Sequence, residues 1–272
     1  MNHPAVNRLS LNQITTEQWK LQEALEGCAK REVEWISIWR HKLHEYGVSE
    51  TKKHLQETGI RVSSLCRGGM FPAATKQERK RRIDDNLRAI DEAAKLGTNV
   101  LVLVCGPSSD DNLPEARRHV QEGIEAIIPY AKECNIKLGI EPLHPMYAAD
   151  RSVINTLGQA NRLAETVGKE QVGVVVDAFH VWWDPELDSE IERAKGNILG
   201  FHVSDWKVPI TDMFKGRSMM GDGVIELRKV RKQVEAAGYQ GPIEVEIMNQ
   251  ALWDRPGDDV IREMIERYKS HV

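Results

Sequence analysis

The chain has 272 residues, 41% of them hydrophobic and 29% charged, enough apolar material for one sizeable core and no sign of low complexity. Its 37 basic and 41 acidic side chains give a formal charge of −4, so no global field favours a polyanion and nucleic acid is not expected as a partner. No stretch approaches the ~18 uninterrupted apolar residues of a membrane span. The N-terminal MNHPAVNRLSLNQITTEQW has no basic segment leading into an apolar one, so the expectation is a cytoplasmic protein without membrane contact.

In chain order, short β-branched runs alternate with amphipathic stretches. Weak runs at Arg8–Gln13, Glu34–Trp39 and Ile60–Leu65 come first, followed by a helix expected over Thr75–Leu96. Then come the run Asn99–Cys105, a helix over Leu113–Cys134, the run Lys137–Glu141 and a helix over Ser152–Val167. The runs Val172–Asp177 and Ile198–His202 follow, then a helix over Ile225–Ala237, the run Pro242–Ile247 and a last helix over Asp258–Lys269. Gly97, Gly168 and Gly238 each close a helical stretch, as a C-terminal stop requires.

Strict alternation predicts a parallel sheet with helical crossovers, and runs such as VLVLV and GVVV fit strands buried on both faces. An open doubly wound sheet shares these features. The count of about eight strands and eight helices favours a closed (β/α)₈ barrel, as does the lack of GxGxxG or GxxxxGK[ST] after any strand. No linker interrupts the chain, so residues 1–272 are expected to form one domain. The four cysteines, Cys28, Cys66, Cys105 and Cys134, form no CxxC pair and read as buried free thiols.

The last four runs end in side chains that can hold a metal: Glu141, Asp177, His202 and Glu246. In a parallel barrel the C-terminal strand ends face the active site, so four neighbouring strands would aim three carboxylates and an imidazole at one point. Unpaired, such a set is costly to desolvate; one divalent cation resolves the repulsion. The oxygen-rich donors favour Mn²⁺, with Mg²⁺, Co²⁺ or Zn²⁺ as alternatives. Glu244 shares strand parity with Glu246 and should lie one layer lower, beside a Lys or Arg. Trp39 and the stretch Cys66–Phe71 follow early strands and could roof a substrate. Trp182 and Trp183 could wall the pocket, Met219–Gly223 reads as a loop over the site, and the basic run Lys76–Arg82 reads as a solvated helix face.

Glu141 in IEP, the Asp177–His180 Asp-x-x-His unit, the Phe-His of GFHVSD, the Gly221–Gly223 turn and YxGPIxVE at Tyr239–Glu246 carry a family resemblance. The stretch resembles the xylose-isomerase-like barrel superfamily of sugar isomerases and epimerases. Its members include ketose 3-epimerases, inosose isomerase and dehydratase, and endonuclease IV. The resemblance implies that Glu141, Asp177, His202 and Glu246 are metal ligands and that His180 touches the substrate. It also implies that Glu141 and Glu246 exchange a substrate proton while the cation holds two neighbouring oxygens of an enediolate. The ketose epimerases carry an arginine soon after the strand-7 histidine. Here Val203-Ser204-Asp205-Trp206-Lys207 follows, which makes Lys207 or the more distant Arg217 the cationic candidate.

The expected activity is therefore isomerisation or epimerisation of a small keto-sugar or related polyol ketone. A lyase or dehydratase using His144 or His180 as base is the alternative. An abasic-site endonuclease would need more metals and a basic groove, and a sugar-binding barrel without catalysis is the remaining reading. The aromatic-rich rim segments leave a homodimer or higher homo-oligomer open.

Overall fold

The computed structural model describes residues 6–109 and 112–272. Eight parallel strands close into a barrel: β1 (Leu9–Asn12), β2 (Trp35–Trp39), β3 (Arg61–Gly69), β4 (Val100–Val104), β5 (Lys137–Glu141), β6 (Val172–Asp177), β7 (Ile198–Val203) and β8 (Ile243–Val245). Each pairs with its sequence neighbours, and β8 pairs with β1 through Leu9–Ile243 and Leu11–Val245. The closed arrangement settles the main sheet as a (β/α)₈ barrel, which has no edge strands of its own.

Alternation along the strands divides the apolar residues in two. One set, including Leu9, Leu11, Ile36, Ile38, Leu101, Leu103, Leu138, Ile140, Phe201 and Val203, packs with the surrounding helices into the main core. The opposite parity faces the barrel axis. There Val100, Val102 and Val175 form a small separate cluster with Leu199, and Gly139, Gly173 and Gly200 leave room for it. The axis residues of the first three strands are polar instead: Ser10, Asn12, Ser37 and Ser64 are all buried. One side of the barrel interior is therefore dry and the other is hydrogen-bonding.

Local signals explain the crossovers. The long helix Lys76–Leu96 starts at Thr75, whose hydroxyl accepts from Glu78 N–H at 3.1 Å while the Glu78 carboxylate accepts from Thr75 N–H at 3.3 Å. It stops at Gly97, which has φ +76°. The helix expected from Ser152 begins only at Leu157, capped by Thr156. Ser152 and Val153 instead run beside Gly106, whose carbonyl accepts from Val153 N–H at 3.0 Å. Gly69 closes β3 with φ +98°, and a Cβ there would lie 2.0 Å from the Val104 carbonyl oxygen, so only glycine fits. The Lys76–Arg82 run is solvated on most of its residues, as a charged outer face should be.

Among the described residues no helix is long and apolar enough to cross a membrane. All four cysteines are free; Cys28, Cys66 and Cys105 are buried, whereas Cys134, at a helix C-terminus, is only half-buried. Burial pushes the Cys28 and Cys105 thiols up to about 12 and Cys66 well above its ordinary value. A disulfide reagent at about pH 8 should therefore modify no more than one of the four thiols in native protein and all four after denaturation. Rapid native labelling of two or more would contradict this packing.

Candidate metal centre and active site

Four side chains converge above the C-terminal ends of the last four strands. Glu141 ends β5, Asp177 ends β6, His202 lies in β7, and Glu246 directly follows β8, its N–H still bonded to the Val203 carbonyl at 3.1 Å. One donor atom from each falls within 4.8 Å of all the others, and every one of the four side chains is buried. His202 is the hub. Its Nδ1 lies 3.0 Å from Glu141 Oε1 and 3.3 Å from Glu246 Oε2, while its Nε2 faces Glu244 Oε2 at 3.1 Å.

Glu244 lies below this cluster on the inward face of β8, as parity predicts, but its partners correct the expectation of a Lys or Arg. Ser63 and Ser64 donate to its Oε1 at 2.8 and 2.7 Å, and Asn12 donates to Oε2 at 3.2 Å. Burial pushes this carboxyl up, but His202 and the serine hydroxyls outweigh it and hold Glu244 below its ordinary value. It is therefore an anion that orients one imidazole nitrogen and leaves the other aimed at Glu141 and Glu246. Burial alone would pull His202 down; Glu244 and the hydrogen-bonding glutamates hold it well above its ordinary value.

Charge is scarce here. Burial and the neighbouring Glu246 push Glu141 up, and burial pushes Asp177 up to about 7 against the pull of Arg217. Burial also opposes ionisation of Glu246, but Arg217 and His202 prevail and hold it low. Three buried carboxylates with one nitrogen, short of positive charge, fit a divalent cation on donor chemistry alone.

Arg217 supplies the other positive charge. A two-stranded antiparallel ribbon, Asp205–Trp206 with Arg217–Ser218, turns the chain back so that this arginine reaches the centre despite its distance in sequence. Its Nη1 donates to Asp177 Oδ2 at 2.7 Å and to the Glu246 carbonyl at 3.2 Å, and lies 3.4 Å from Glu246 Oε2. Its Nη2 stands 2.9 Å from His180 Nε2. Since the guanidinium can only donate, His180 carries its proton on Nδ1, which is buried with no hydrogen-bond partner among the described residues. Burial and Arg217 pull His180 well below its ordinary value, so the ring is neutral.

The remaining sequence candidates divide. Trp39 borders the small cavity over the centre with Glu141, His180, Arg217 and Glu246, and its indole N–H is fixed by Asn12 Oδ1 at 2.7 Å. Lys207 does not join: it is more than half exposed and faces Asp222 at 3.7 Å. His144 stands aside as a cap, its Nδ1 accepting from Met146 N–H at 3.1 Å and its ring stacked 4.9 Å from Trp206. Trp183 donates to the His180 carbonyl at 2.8 Å, whereas Trp182 packs on Trp206. The loop at Met219–Gly223 is tied to the Asp205 carboxylate through Gly221 N–H at 2.9 Å and to Arg267 through Asp222, away from the cavity. Sequence reasoning gave no role to Arg151, which lines the cavity, and only a loose one to Arg67. A hollow of about 710 Å³ at the opposite mouth, near Trp35, Arg61 and Pro242, holds none of the four converging groups.

Because Glu244 fixes the imidazole, Glu244→Gln should weaken Mn²⁺ binding roughly 10–100-fold with the fold intact. Competition against a chelator measures this, and unchanged affinity would remove Glu244 from the site.

The family description "Xylose isomerase-like TIM barrel" matches residues 25–271. Inosose isomerase of Halalkalibacterium halodurans is 26% identical over 268 residues, covering 94% of this chain and 93% of that protein. An L-ribulose-5-phosphate 3-epimerase of Shigella boydii serotype 18 is 24% identical over 216 residues, 77% of this chain and 71% of its own. A Sinorhizobium meliloti 1021 protein of known crystal structure superposes with a TM-score of 0.95 at 46% identity, covering 97% of this chain and 98% of that one. The carboxylate–imidazole cluster and these similarities support a metal-assisted enzyme of the isomerase/epimerase type. The chain belongs to the xylose isomerase-like TIM barrel family.

Proposed function

We propose that this chain is a divalent-metal-dependent isomerase or epimerase that moves a proton on the carbon beside the carbonyl of a keto-sugar or related polyol ketone. The observation that carries the reading is the convergence of Glu141 and Glu246 on one imidazole nitrogen from strands three places apart around the barrel. Glu141, Asp177, His202 and Glu246 would hold the ion, Mn²⁺ by preference, with Mg²⁺, Co²⁺ or Zn²⁺ as alternatives. Held there, the ion would supply Lewis acidity toward the carbonyl oxygen and so make the neighbouring C–H easier to deprotonate.

The side chains supply the rest. Glu141, raised by burial and by Glu246, is suited to take a proton and return it; Glu246, held anionic by Arg217, faces it across the substrate. His180, locked by Arg217 in the tautomer with hydrogen on Nδ1, offers that N–H to a substrate oxygen. Trp39 covers the site. Arg217 positions Asp177, Glu246 and His180 together. The elimination alternative needs a free base, and the cap at Met146 already engages His144 Nδ1.

Incubation with keto-sugars and inososes in deuterated water, with Mn²⁺ present, should introduce solvent deuterium beside the carbonyl and otherwise leave the mass unchanged. Glu141→Gln and Glu246→Gln should each lower kcat by roughly 10²–10⁴-fold. Chelation should abolish turnover and Mn²⁺ restore it. A product that has lost water would replace this reading with elimination, and no exchange into any such ketone would end it.

A further inference from the structure

The small cavity over the centre, about 20 Å³, holds roughly one water and cannot take a whole sugar. It shares Trp39, Cys66 and Arg67 with an adjoining hollow of about 270 Å³, so a substrate with its carbonyl end at the centre has room to extend past Arg67. Arg67, near the end of β3, and Arg151, in the loop after β5, both line the inner cavity.

These two arginines differ from Arg217 and Arg40 nearby, and unlike the exposed Arg82 they border the inner cavity. Arg217 is bonded to Asp177, and Arg40 is bonded to Asp85 and Glu92. Among the described residues, neither Arg67 nor Arg151 has a hydrogen bond from its guanidinium or a carboxylate partner. Arg151 is half-buried and held by aromatic faces instead, with its guanidinium carbon 4.1 Å from the Phe214 ring centre and 5.6 Å from that of Tyr147. Burial pulls its guanidinium below the ordinary value, and the like charges of Arg67 and Arg217 pull it further. Asp85, the carboxylate of the adjoining hollow, already serves Arg40 and Arg88.

The carboxylates of the centre do not provide the missing partner. A divalent ion together with Arg217 balances Glu141, Asp177 and Glu246, which leaves Arg67 and Arg151 uncompensated at the mouth. Convergent, unpaired and partly desolvated guanidiniums are the usual receptor for an oxyanion, which they grip through paired N–H donors.

We propose that Arg67 and Arg151 bind an acidic group on the substrate, a phosphate monoester or a carboxylate, so that the enzyme acts on an anionic ketose rather than a neutral one. This rests on the functional reading above, but the anion site can be tested apart from it. Calorimetry on Mn²⁺-loaded protein with inorganic phosphate, and separately with acetate, reads the site without turnover. Binding of at least one anion should weaken tenfold or more in both R67Q and R151Q. R67Q should melt like wild type in anion-free buffer, since its guanidinium holds no partner, whereas R151Q gives up only its contacts with the Phe214 and Tyr147 rings. With ketoses, the acidic form should show the lower KM, and each substitution should raise that KM far more than it lowers kcat and far more than it raises the KM of the neutral ketose. Preference for phosphate over acetate, or the reverse, identifies the acidic group. Anion binding equal in wild type and both variants, or a neutral ketose turned over as well as its acidic counterparts, would overturn the proposal. Arginine-dependent anion binding without exchange into any ketone would instead retain the anion site and remove the isomerase reading.

Discussion

Three carboxylates cannot share a buried space a few ångströms across without positive charge brought close to them. The protein answers with two fixed groups and leaves room for a third. Arg217 bonds Asp177 and crosses to Glu246, and His202 stands between Glu141 and Glu246. Glu244 then determines which side of that imidazole is committed to the barrel and which is offered to the mouth. The serines and Asn12 on the polar side of the interior exist in this sense for Glu244, since a buried carboxylate needs several donors to stay ionised. The dry valine and glycine side of the barrel makes no such demand.

Much of this arrangement is legible along the chain because parallel strands obey a short period. β5 and β6 carry the expected bounds, and inward parity correctly placed Glu244 beneath Glu246. The four strand ends are local features, and the direction of a parallel barrel brings them together without further information. The start of the helix at Leu157 was less legible, because Ser152 and Thr156 are both good caps and only the pairing of Ser152 with Gly106 decides between them.

What escaped the sequence depends on contacts between distant segments. The partners of Glu244 come from β1, β3 and β7, so the cationic neighbour expected for it was replaced by hydroxyls, an amide and an imidazole. Lys207 and Arg217 looked equivalent as candidates after His202. The register of a two-residue ribbon sends one to the surface and the other into the centre. Arg151 carried no signal at all, since nothing in its neighbours tells that aromatic rings rather than an acid will hold it.

The ribbon has a mechanical side as well. Arg217 is tethered at both ends, by its guanidinium to the strand that bears Asp177 and by its carbonyl to the Asn249 amide at 2.8 Å. The stretch between Trp206 and Arg217 lies nearer solvent, with Val208 and Met213 largely exposed, and it leans on the mouth through Phe214 over Arg151 and the Tyr147 hydroxyl on the Met213 carbonyl. The contacts that hold Arg217 at the centre are thus separate from those that seat the neighbouring stretch against the mouth.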